Sequence, residues 1–180
     1  MRRIDAYPYD VVRCAMKLSA LVFCRPGEVR AAEWKEMDWE KAQWVIPEEK
    51  MKMKLLHLVP LAQQSLELLK ELRALTGHQK WLFPSTRNDG RCMSENTVRV
   101  ALRSMGYGNA DMTAHGFRGM ASSVLNENSF NADWIERQLS HVDKNAVREA
   151  YNHAKYLPQR REMMQWYADW LDNVKGSQAV

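Results

Sequence analysis

Apolar residues recur at helical spacing along most of this chain, and the period breaks once, in QWVIPEEKMKMKLLHLVPL, residues 43–61. There Trp44, Val45 and Ile46, then Leu56, Leu58 and Val59, form two β-prone runs around a charged segment. That pattern predicts a hairpin with Lys50, Lys52 and Lys54 near its tip. On either side the reading is helical. A helix is expected from Pro8 to Phe23 and a second opening at Pro26, leaving the Phe23 to Arg25 turn between them. AQQSLELLKELRALTG is an amphipathic helix stopped at Gly77, and WLFPS leads into the turn-rich TRNDGRC. Further helices are expected from Ser94 to about Met105, from a cap at Thr113 to about Leu125, from Asp133 to Leu139, from Asn145 to His153, and from Pro158 to Val174. The implied fold class is α+β, mainly α-helical with a small antiparallel β hairpin or sheet.

With 180 residues, 46% of them hydrophobic, the chain suits a single domain, 1–180, that buries its own core. A net charge of +4 permits a nucleic-acid partner without requiring one. Cys14, Cys24 and Cys92 show no CxxC spacing, so neither a disulfide framework nor a zinc site is indicated and a reducing cytoplasm fits. No apolar run is long enough to span a bilayer, the first residues carry no leader pattern, and no metal or nucleotide motif is evident.

Taken singly, the polar clusters have plain structural readings. Arg25 in CRPGEVR serves as well for a capping residue, and His141 after RQLS for a helix-terminal histidine. Tyr151 in REAYNHAKY reads as a core or interface aromatic. His115 and Arg118 in HGFR stand three apart at a helix start, spacing that lets both reach one anion, although such pairs are more often structural. Together the set has the composition that metal-free phosphodiester transfer through a covalent intermediate requires. Arg25, Arg118, His115 and His141 supply positive charge and hydrogen-bond donors for the transition state. Tyr151 supplies a phenol that an Arg-rich pocket and a nearby His activate, and Lys52 a proton for the departing sugar oxygen.

RPGE, the hairpin ending HLVPL, HGFR, LSH and AYN, in that order, resemble the catalytic domain of the tyrosine recombinases, or phage-type integrases. The likeness runs from about Phe23 to Asp172 and is strongest to the satellite-phage and genomic-island branch. It implies site-specific DNA recombination that integrates a mobile element through a 3′-phosphotyrosyl intermediate, without a cofactor or metal. By resemblance, Arg25 and Arg118 clamp the non-bridging oxygens, His115 assists proton transfer, His141 hydrogen-bonds the scissile phosphate, Lys52 is the general acid and Tyr151 the nucleophile. Glu28 orients Arg25. Lys50 and Lys54 are rivals for the acid, and Tyr156 for the nucleophile.

Implied partners are double-stranded attachment sites, with no membrane; the apolar face of the C-terminal helix either packs on its own core or docks on a sister protomer in a homotetramer. The implied setting is the bacterial cytoplasm, on the nucleoid. FC before Arg25 stands where many relatives carry Thr and Gly, which leaves the geometry of that turn open. Relatives also carry a core-binding domain ahead of this one; with Met1 almost at the first helix, the expectation is an excised or shortened catalytic domain lacking it. An inert DNA-binding module and a type IB topoisomerase are the alternative readings.

Overall fold

The computed structural model describes residues 1–52, 54–87, 90–141 and 156–176. A short α1 (Arg2–Asp5) precedes α2 (Asp10–Val22), the central helix. From Cys14 to Val22 every α2 residue except Lys17 is buried, which is what a helix apolar on nearly all sides demands. Tyr9 is extended, so α2 starts at Asp10 rather than Pro8. Pro26 opens α3 (Pro26–Arg30) as expected.

The hairpin is present and gains a third strand. β1 (Met37–Asp38), β2 (Gln43–Ile46) and β3 (His57–Pro60) form an antiparallel sheet in that order. β1 is two residues long, too short to leave a period in the sequence. Trp44 pairs with Val59 and Ile46 with His57, and all four side chains lie on the buried face.

The remaining helices are α4 (Gln63–Thr76), α5 (Thr97–Ser104), α6 (Gly116–Glu127), α7 (Ala132–Gln138) and α8 (Leu157–Gly176). Three starts differ from expectation because the capping residue stands outside the helix it serves. Ser94 makes a turn, its hydroxyl accepting the Asn96 N–H, and α5 begins only at Thr97. Thr113 accepts the Gly116 N–H at 3.0 Å, so α6 begins at Gly116. Asn131, not Asp133, caps α7 through the Asp133 N–H at 2.8 Å. The helix expected from Asn145 to His153, with Tyr151 inside it, lies outside the described residues.

α2 packs against α1, α3, α4, α5, α6 and α8, and β3 packs against α8. Among the described residues no helix is long and apolar enough to cross a membrane.

Candidate active site

The site grows from the end of α2. Phe23 terminates that helix in the left-handed region (φ 40°), and the chain leaves extended through Arg25, the N-cap of α3. This settles the turn that FC left open: the left-handed conformation is adopted by a phenylalanine. Glu28, buried one turn into α3, accepts both the Arg25 backbone N–H and its Nη1, each at 2.9 Å. Two bonds from one carboxylate hold that side chain at both ends.

Arg118 lies in the first turn of α6 and is 4% exposed. Its Nη1 donates to the Phe23 carbonyl and its Nη2 to the Leu139 carbonyl, each at 2.8 Å. Arg25 donates through Nη2 to the Ser140 carbonyl at 2.9 Å, although the two residues stand 115 apart in sequence. The C-terminal end of α7 thus accepts from both arginines, as the negative end of a helix does for cations. Burial pushes the Arg118 guanidinium below its ordinary pKa, and the charge of Arg25 adds to the shift.

His141 completes the cluster. Its Nε2 is 3.4 Å from Arg118 Nη2 and its Nδ1 is 2.7 Å from Glu136 Oε2. A guanidinium only donates, so in this arrangement Nε2 accepts while Nδ1 carries its proton toward Glu136. Each guanidinium keeps N–H groups beyond those committed to carbonyls and Glu28. Two such forks beside an imidazole can bind the oxygens of a tetrahedral oxyanion by charge-assisted hydrogen bonds.

Not every expected residue joins the cluster. His115 immediately precedes α6, is exposed, and its imidazole makes no hydrogen bond among the described residues. Lys52 is exposed on the connection between β2 and β3 and likewise makes none. Lys50 is committed elsewhere. Its ammonium contacts Glu33 at 2.7 Å, Glu36, and the Ala31 carbonyl at 2.8 Å, and it lies over the Trp81 ring. Lys54 is exposed with φ 53°. The Tyr156 hydroxyl is 3.4 Å from Asp133, near the start of α7. That is the opposite end from His141, roughly 10 Å away along a helix rising 1.5 Å per residue. Tyr151 lies outside the described residues.

Three buried polar residues beside the cluster went unread in the sequence: His57, Gln138 and Arg160. A signal for one of them existed. Arg160 falls three, four and seven positions before Met163, Met164 and Tyr167, so a cation stands in the apolar stripe of α8.

Helices packed around a central α2 beside a three-stranded sheet, with two arginines converging on one helix end, define the class: this is the tyrosine recombinase catalytic fold. The integrase of mycobacterium phage Brujita shares it with a TM-score of 0.68 at 15% identity, over 91% of this chain and 54% of that one. XerA recombinase shares it with a TM-score of 0.63 at 19% identity, over 88% and 60%. The chain belongs to the phage integrase family, which matches residues 8–158. It is 44% identical to the integrase of Enterobacteria phage P4 over 96% of this chain and 43% of that protein. To prophage integrase IntA of Escherichia coli K12 it is 43% identical, over 87% and 38%. The family expected from the sequence is borne out, and the chain spans less than half the length of these curated relatives.

Proposed function

We propose that this chain carries the catalytic centre of a site-specific DNA recombinase that integrates a mobile element by metal-free transesterification. The observation that supports this reading best is the convergence of Arg25, Arg118 and His141 on the end of α7, with Glu28 bracing Arg25. In the proposed reaction the Tyr151 phenolate oxygen attacks the scissile phosphorus. The bond from phosphorus to the 5′ oxygen breaks, and the DNA 3′ end becomes a phosphotyrosyl ester. Arg25 and Arg118 bind the non-bridging oxygens, and His141 donates to one of them once its Nε2 carries a proton. The phenol proton passes toward His115, and the departing 5′ oxygen takes a proton from Lys52. Attack by a 5′ hydroxyl of the partner strand reverses these steps, and the ester bond conserves the energy.

The commitment of Lys50 to Glu33 and Glu36 favours Lys52 as the acid, and the distance of Tyr156 from His141 favours Tyr151 as the nucleophile. On this reading the partner is duplex DNA at attachment sites, in the bacterial cytoplasm on the nucleoid. A homotetramer on DNA is part of the reading, with the half-exposed Trp170 edge of α8 offered to a neighbouring protomer.

A nicked suicide duplex carrying the attachment site of the chain's own element, resolved on a denaturing gel, tests the proposal. A covalent protein–DNA band is expected for wild type and Tyr156→Phe, and none for Tyr151→Phe. Loss of the band in Tyr156→Phe, or no band with wild type, overturns the assignment.

A further inference from the structure

Gln138 and Arg160 stand outside the proposed reacting groups, and both are fully buried. Arg160, near the start of α8, donates through Nη2 to the Leu58 carbonyl of β3 and to Gln138 Oε1, each at 2.6 Å. Since a guanidinium has no acceptor, the Gln138 amide is held one way round, with its oxygen toward Arg160 and its NH2 toward the Val22 carbonyl at 3.2 Å. One side chain therefore joins the end of α2 to the end of α7. Those are the two segments that hold the guanidiniums. Phe23, which follows Val22, accepts from Arg118; Leu139 and Ser140, which follow Gln138, accept from Arg118 and Arg25; His141 comes next.

Stability alone gives little reason for a cation at position 160. Arg160 Nε and Nη1 are buried without a hydrogen bond, and burial pushes the guanidinium down to about 9, so it is still charged at neutral pH. An apolar side chain of similar volume avoids that desolvation. What the arginine adds is a link between α8 and the oxyanion cluster, at a position nine residues after Tyr151.

We propose that Arg160 and Gln138 form a positioning pair that sets the spacing of the two arginine-holding segments and registers the chain following Tyr151 against them. The inference rests on the recombinase reading above.

The test is a double-mutant cycle of Gln138→Met and Arg160→Met. Covalent-complex formation is followed in a single turnover at saturating nicked attachment-site duplex, with DNA affinity and Tm measured separately. Small displacements of reacting groups slow chemistry steeply, so each single variant is expected to react roughly tenfold slower or worse. DNA affinity is expected to stay within about threefold of wild type, the pattern of an interaction that serves the chemical step. The double variant is expected to be no slower than the slower single, because both changes cut the same link. Arg160→Lys, which keeps donors for both acceptors, is expected to recover most of the rate. Wild-type rates in the single variants, losses that multiply in the double, or losses that appear as weaker DNA binding overturn the inference. If Arg160→Met does not fold, Gln138→Met decides alone by the same rate and affinity criteria. A wild type that forms no covalent complex overturns the recombinase reading and the inference with it, and is seen before any variant is compared.

Discussion

Phe23 and Ser140 each offer a carbonyl that accepts from an arginine of the cluster, and each adopts a positive φ, 40° and 52°. For a residue with a Cβ that conformation costs about 1–2 kcal/mol. Glycine at either position removes the strain but raises unfolded-chain entropy by about 0.5–1 kcal/mol. At Ser140 the side chain is half-exposed and contributes little else. Ser140→Gly is therefore expected to stabilise the protein by about 0.5–1 kcal/mol in urea unfolding. At Phe23 the ring is buried and meets Tyr167 edge-on at 5.3 Å. Truncating a buried phenylalanine costs about 3–5 kcal/mol, so the packing loss exceeds the relief and Phe23→Gly is expected to destabilise. The same backbone strain thus gives opposite signs at two positions, and burial decides which.

The connection between β2 and β3 is anchored by a buried ion cluster. Glu33 and Glu36 are almost wholly buried, and Lys50 joins both to the Ala31 carbonyl, while Glu36 also accepts the Trp44 indole N–H at 3.0 Å. Burial works to raise the Glu33 carboxyl, and the lysines outweigh it, holding the pKa below the ordinary glutamate value. Removing Lys50 leaves Glu36 buried without the cation it pairs with, beside a Glu33 that keeps only the exposed Lys35 at 3.0 Å and Lys80 at 3.7 Å. Lys50→Met is expected to cost about 3 kcal/mol in urea unfolding, whereas Lys52→Met, at an exposed position, is expected to change stability by under about 0.5 kcal/mol. On the proposed reading Lys52→Met instead slows cleavage, so the two lysines separate stability from chemistry. The resemblance chose Lys52 over Lys50 as the acid, but nothing beside Lys50 in the sequence showed that it is committed, because its partners lie 14–17 positions upstream.

Across the whole molecule, stability against pH reports on buried groups that bind protons differently once unfolded. His57 is fully buried, and burial, with Arg160 adding to it, holds its imidazole well below the ordinary value. The unfolded chain protonates that histidine near pH 6.5 and the folded chain does not, so this contribution is complete above about pH 6.5 and is lost as pH falls toward the folded pKa. The expected slope is up to about 1.4 kcal/mol per pH unit, and His57→Gln is expected to flatten it in urea titrations between pH 5 and 6.5. For Asp5, burial opposes ionisation but Lys175 and Lys17 outweigh it, and its pKa is lowered. Its contribution and that of Glu33 are present above about pH 4 and fade as pH falls further, giving a second acid limb. The sequence by itself determined the α+β class, the β2–β3 hairpin and the α3 start at Pro26, and it singled out Arg25, Glu28, Arg118 and His141, which the structure brings together. Period, caps and motif spacing are local, and local signals are legible along one chain. Only the tertiary structure decided that Arg25 and Arg118 turn toward carbonyls more than twenty or a hundred residues away, that Lys50 is committed and that Arg160 is buried. These outcomes depend on which distant carbonyl or carboxylate reaches a cation once the core excludes water, and that partner leaves no mark next to the cation in the sequence.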